Sequence, residues 1–160
     1  MSSDTSENWD LYTPEVQAIM GVFTLHWQLE QRLNEIRLEG QLGRPECQLL
    51  LILAMPRRMG ELARLTMKAP SAVTAAAATL ERLGLVRRVR DAQDGRAWLL
   101  ELTCEGRKRR ETLVTDAAQL FYDTTGLSRA EAETLAVLAQ KIHNKAVQSG
   151  AVGPCEGDQT

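Results

Sequence analysis

Residues 60–108 read GELARLTMKAPSAVTAAAATLERLGLVRRVRDAQDGRAWLLELTCEGRK, and the change of period inside this stretch decides the fold. MGELARLTM has the spacing of a short helix with Leu62 and Leu65 inward. A second helix follows: Pro70 or Ser71 opens it, Val73, Ala77 and Leu80 share a face, and Gly84 closes it. Two short helices joined by a short turn make a helix-turn-helix. The period then drops to two. LVRRVR and AWLLELT alternate as strands, and DAQDG between them carries the turn residues, so the spacing predicts a β-hairpin. Arg82, Arg87, Arg88, Arg90 and Arg96 all fall within residues 80–103.

Upstream, Thr13-Pro14 has the form of an N-cap followed by proline at the first helical position. A long helix is expected from Pro14 to about Leu42, with Val16, Ile19, Met20, Phe23, Trp27, Leu33 and Ile36 on its stripe. GQLGRPE interrupts it. A helix from Pro45 to about Met55 follows, apolar all round in LLLILAM and therefore expected to be buried, and Pro56 ends it. Downstream, Thr103 caps a helix expected over 104–122, Gly126-Leu127 breaks it, and Ser128 caps a last helix over 129–148. Ala132, Leu135, Leu138, Ile142 and Val147 form the inward stripe of that helix. Residues 1–8 and 149–160 are polar, lack apolar anchors and are expected to be disordered.

At 160 residues the chain fits a single domain. Apolar residues make up 44% but aromatics only 4%, so the core must be aliphatic. No apolar run reaches the roughly 18 residues of a membrane span. MSSDTSENWD lacks the basic start and apolar stretch of a signal peptide, so a cytoplasmic location is expected. Cys47, Cys104 and Cys155 are far apart and form no CxxC pair, which predicts free thiols. The net charge of −2 conceals an asymmetry. Residues 57–110 hold thirteen Lys/Arg against six Asp/Glu, or +7, which leaves −9 for the rest. A basic middle suits either a polyanion-binding surface or a merely solvated face. GxSxG, HExxH, a glycine-rich phosphate loop and a Cys/His cluster are all missing, so neither an enzyme nor a cofactor or metal is expected.

These residues resemble the winged helix-turn-helix core of the MarR family of bacterial transcription regulators. The resemblance rests on the GELA helix, AVT followed by LERLGLV, DAQDGRA, and LELT with GR two residues later. It covers about residues 13–148 and is most specific over Leu80–Gly106. It implies a mainly α fold with a small β-hairpin wing, a winged helix-turn-helix plus terminal dimerisation helices. The layout would be a flexible segment 1–12, dimerisation helices 13–42 and 104–148 around a winged helix-turn-helix 44–103, and a flexible tail 149–160. The implied function is that of a homodimeric repressor. It would bind a palindromic operator on double-stranded DNA and release it on binding a small phenolic or aromatic acid.

By the same resemblance, Arg96 would enter the minor groove with Asp94 as its orienting partner, although the pair also suits a mere staple of the turn, and Arg87, Arg88 and Arg90 would meet phosphates. Strand alternation puts Arg88 and Arg90 on one face and Arg87 on the other. The recognition helix would be about Ser71–Leu83, with Ser71, Ala72, Thr74 and Ala75 toward bases and Lys68 in the preceding turn. Ser71 has the alternative role of an N-cap. Relatives often carry polar groups where Ala75 and Ala76 stand, so AAAA offers methyl contacts, for instance to thymine. The implied effector cleft would draw on Trp9, Met20, His26, Trp27, Met55 and Arg64, although Met20 and Trp27 also suit plain core packing and His26 a surface position. NWDLYTPEVQAIMGVF resembles the start of the urate-responsive PecS/HucR-like subgroup, with Trp9 matching its tryptophan. Gln48 replaces the aspartate expected in the next helix and argues against urate itself. Two alternatives stand beside this reading. One is a redox-sensing regulator of the same fold using Cys47 and Cys104, thiols placed near helix starts. The other is a winged-helix module that binds a protein.

Overall fold

A computed structural model describes residues 9–37 and 42–150. A 3₁₀ turn at Trp9–Leu11 leads into α1 (Pro14–Arg37). Next come α2 (Arg44–Ile52), β1 (Arg57–Arg58), α3 (Met59–Thr66) and α4 (Pro70–Arg82), then β2 (Val86–Arg90), β3 (Trp98–Leu102), α5 (Cys104–Thr125) and α6 (Arg129–Gln148). The expected disorder of residues 1–8 and 151–160, Cys155, and the side chains of Leu33 and Ile36 lie outside the described residues. So does the stretch 38–41 that would carry the first helix on to Leu42.

The elements differ from expectation at their ends. Trp9–Leu11 is ordered as a turn within the segment read as flexible. α2 stops at Ile52 rather than Met55, because Leu53 leaves helical geometry to cap it. Leu49, Leu50 and Leu53 are buried but Met55 is exposed, so LLLILAM is not buried all round. α5 runs three residues past the expected end, to Thr125, and closes on Gly126 at φ 65. The wing is part of a three-stranded antiparallel sheet in the order β1-β3-β2, not an isolated hairpin. β1 pairs Arg57 with Leu100 and Arg58 with Leu99.

The core lies beneath this sheet. Leu49, Leu50 and Leu53, Leu62 of α3, Val73, Ala76, Ala77 and Leu80 of α4, and Val86, Leu100 and Leu102 of the sheet form one buried cluster. Leu65 is only half-buried; Ala63 and Thr66 turn inward beside Leu62 instead. Thr66 satisfies its hydroxyl by donating 2.8 Å to the Leu62 carbonyl. The alternation of the hairpin fixes its faces: Val86, Leu100 and Leu102 point into the core and Arg87 and Glu101 point away.

Thr103 ties α5 to this unit. Its hydroxyl donates to the Gly84 carbonyl at 2.7 Å and accepts from the Gly106 amide at 3.0 Å. Its own amide donates to the Leu85 carbonyl at 3.0 Å. Gly106 is buried against that carbonyl. A Cβ there would overlap the oxygen and come within 2.8 Å of the carbonyl carbon. Alanine normally favours a helix over glycine by roughly 1 kcal/mol. Here the obstacle is backbone that two hydrogen bonds hold, so overpacking wins. Gly106→Ala is expected to lose about 1–3 kcal/mol of stability, read as a lowered midpoint in thermal unfolding followed by circular dichroism.

α6 begins with a capping box, in which the Glu131 amide meets the Ser128 hydroxyl and the Glu131 carboxylate accepts from the Ser128 amide. The Ser128 hydroxyl beside it holds the Glu131 carboxyl below its ordinary value. Among the described residues the apolar stripe of α6 is only partly covered, with Ala132, Leu135 and Val147 half-buried. Leu138 and Ile142 are exposed, as are Ile19, Met20, Phe23 and Trp27 of α1, which excludes core packing within one protomer for Met20 and Trp27. No helix among the described residues is long and apolar enough to cross a membrane.

Candidate nucleic-acid interface

Two features of α4 and the sheet share one basic region. α4 buries Val73, Ala76, Ala77 and Leu80, which leaves Ser71, Thr74 and Ala75 exposed and Ala72 half-buried. Ala76 therefore belongs to the core and offers no methyl outward. The N-cap of α4 is Ala69, in extended geometry and without a side-chain bond, so Ser71 stands inside the first turn and is not the cap. Thr74 donates its hydroxyl back to the Pro70 carbonyl at 2.8 Å. Lys68 is half-buried in the turn between α3 and α4.

On the wing, three of the sequence-selected arginines already have partners. Arg87 reaches Glu101 across the strands at 2.6 Å. Arg88 lies 3.4 Å from Glu81 of α4. Arg90 stacks on Trp98, with its guanidinium carbon 4.1 Å from the ring centroid, and donates to the Gly95 carbonyl at 3.0 Å. Exposed ion pairs contribute only about 0–1 kcal/mol, so Arg87 and Arg88 can exchange a carboxylate for a phosphate at little cost. Arg96 differs. It is exposed on the turn, and its guanidinium has no hydrogen bond or ion pair among the described residues.

Asp94 does not pair with the Arg96 side chain. Its Oδ1 accepts from the Arg96 backbone amide at 3.3 Å, while Oδ2 lies 3.4 Å from Nη2 of Arg58. Arg58 also donates to Oδ2 of Asp91 through Nη2 at 2.6 Å and Nε at 3.2 Å. This bond, helped by the Gln93 amide, holds the Asp91 carboxyl below the usual carboxylate range. Sequence reasoning missed Arg58. A two-residue strand has no legible period, and its acidic partners lie 33 and 36 positions away. The only available signal was the Arg57-Arg58 pair itself, next to GELA.

Residues 42–97 match the MarR-family model. The winged helix-turn-helix belongs to the MarR family. Among solved structures, the MarR-like fold recurs in the transcriptional regulator BldR of Sulfolobus solfataricus, 25% identical. The match covers 81% of this chain and 95% of that one, with a TM-score of 0.67. BpsR of Bordetella bronchiseptica, whose DNA binding is regulated by 6-hydroxynicotinic acid, is 21% identical over 82% and 96% of the two chains, with a TM-score of 0.62. Streptococcus pneumoniae FabT, solved in complex with DNA, is 22% identical over 81% and 95%, with a TM-score of 0.59. No curated protein sequence matches the chain.

The candidate effector residues of this MarR-family protein lie on four separate stretches of the chain. A cavity of about 330 Å³ is lined by Trp27, Gln28, Gln31 and Arg32 of α1 with Asp123 and Thr124 of α5, and of the six candidates only Trp27 borders it. Trp9 lies on the N-terminal turn, its carbonyl accepting from Gln17 at 2.8 Å. His26 is exposed, 3.8 Å from Glu30, which Arg44 also engages. Met20 is exposed on α1, Met55 is exposed in the loop before β1, and Arg64 is exposed on α3. Gln48 points its amide at the Thr66 carbonyl, 3.5 Å away. Of the thiols, Cys47 is half-buried, and Cys104 is exposed at the first position of α5 with Nη2 of Arg107 3.2 Å from its sulfur. Among the described residues, no group of three or more His, Cys, Asp or Glu could hold a metal ion.

Proposed function

We propose that this MarR-family regulator is a cytoplasmic homodimer that represses transcription by binding a two-fold operator, acting by binding rather than catalysis. The observation that carries the reading is the unpartnered Arg96 at the wing turn, presented on the same unit as the exposed Ser71, Thr74 and Ala75 of α4. α4 would lie in the major groove, where Thr74 and the methyl of Ala75 meet base edges. Arg96 would enter the minor groove, and Arg87 and Arg88 would exchange Glu101 and Glu81 for phosphates. Ser71, Ala72, Lys68, Arg90 and Asp94 complete the proposed surface. The proposed layout keeps the winged helix-turn-helix at 44–103 between dimerisation helices 13–42 and 104–148. A small effector, an aromatic acid by analogy with the ligand of BpsR, would release the DNA. Trp27 is the residue through which it would act, because it borders a cavity large enough for such a molecule.

The test is binding of labelled duplex DNA followed by fluorescence anisotropy over a range of salt. The logarithm of the association constant is expected to fall linearly with the logarithm of salt, with a slope of about −0.9 per phosphate engaged. A salt-independent association would contradict the proposal and favour the protein-binding alternative.

A further inference from the structure

The Arg58 side chain spans from the helix-turn-helix to the wing turn. Arg58 is the N-cap of α3, held in extended geometry at φ −72 and ψ 147, and it is also the second residue of β1. From there its guanidinium reaches two carboxylates of the 91–97 turn, Asp91 by two hydrogen bonds and Asp94 by one. Each carboxylate in turn organises turn backbone. Oδ1 of Asp91 accepts from the Gln93 amide at 2.9 Å, and Oδ1 of Asp94 accepts from the Arg96 amide at 3.3 Å. The Ala97 amide closes the turn on the Asp94 carbonyl at 2.8 Å. On the opposite strand, Arg90 grips the Gly95 carbonyl. The one side chain of the turn that this scheme leaves unengaged and cationic is Arg96.

We propose that Arg58 is a positioning residue for Arg96: it clamps the wing turn to the start of α3 and so fixes the distance between the Arg96 guanidinium and the exposed face of α4. A planar guanidinium suits this task, because its fork can hold two carboxylates in one fixed geometry where an ammonium cannot. The proposal rests on the DNA-binding reading and names a residue of that surface which acts through another.

Two measurements test it. The first needs no DNA. In Arg58→Ala, amide hydrogen exchange at Gln93 and Arg96 is expected to accelerate while the amides of α4 keep their protection. Unchanged exchange at Gln93 and Arg96 would overturn the clamp. The second is a double-mutant cycle with Arg96 on labelled duplex DNA. Arg58→Ala alone is expected to weaken binding about threefold to tenfold, with Arg58→Lys between it and the parent. In the Arg96→Ala background the same substitution is expected to change affinity less than half as much. An equal loss in both backgrounds would overturn the proposal, since Arg58 would then contact DNA itself or merely screen Asp91 and Asp94. Failure of the parent protein to bind any duplex would sink the DNA-binding reading, while the exchange measurement would still decide the clamp.

Discussion

Arg96→Ala is expected to lower the affinity for duplex DNA by about 1–3 kcal/mol per protomer, roughly tenfold to a hundredfold, and to leave the fold intact. The two halves of this expectation have one origin. Among the described residues the Arg96 guanidinium meets no acceptor, so its removal deletes no contact there, and an exposed side chain of this kind changes stability by no more than about 0.5 kcal/mol. Its charge is free to act outside the protein. In a narrow minor groove the potential is most negative, and an inserted arginine is worth more there than on an open backbone. Arg87→Ala makes the contrasting control. Arg87 is held by Glu101, and its removal frees a carboxylate as well as deleting a cation. Anisotropy titrations beside thermal melts of both variants separate the two effects. A full-affinity Arg96→Ala would contradict the assignment of the wing.

Ile142→Glu is expected to convert the protein from dimer to monomer and to cost about a hundredfold or more in operator affinity. Among the described residues α6 packs extensively on no other element, yet it carries Val137, Leu138 and Ile142 outward, with Ile142 67% exposed. α1 adds Ile19, Val22, Phe23 and Trp27. Apolar faces of this extent are rarely left to water in a monomer. A second copy covers them at once if the two protomers pair through α1 and α6. A carboxylate placed in that interface loses its hydration without gaining a partner, a penalty of several kcal/mol. A monomer engages one half-site instead of two and loses the advantage of linked binding. Sedimentation velocity checks the first result and anisotropy the second. A dimeric Ile142→Glu with unchanged affinity would show that α6 does not join the protomers.

The fold was legible wherever chemistry is local. Pro70 and Gly84 bracket α4, Thr103 and Ser128 cap their helices, and the switch to a period of two at Val86 marks the wing. Each signal lies within four residues of the structure it specifies. The errors arose where structure depends on distant partners. β1 exists only because Leu99 and Leu100 of β3 lie beside it, about forty positions on. Ala76 and Ala75 are chemically identical, and only the packing against α2 and the sheet puts one inside and one outside. The wing arginines were found by type, but their division into braced and free needed the positions of Glu81, Glu101, Trp98 and Gly95. The effector residues were the least legible. They come from four separate segments of the sequence, and Trp27 is the one that borders the cavity between α1 and α5.

Two-fold operator binding is tested most directly by selection of duplexes from a random-sequence pool by the purified protein. An inverted repeat whose half-site centres lie about one helical turn apart is expected to be enriched, since two copies of α4 related by a two-fold axis must meet successive major grooves on one side of the duplex. A pool that stays random through repeated rounds, or that converges on a site without two-fold symmetry, would contradict two-fold operator binding.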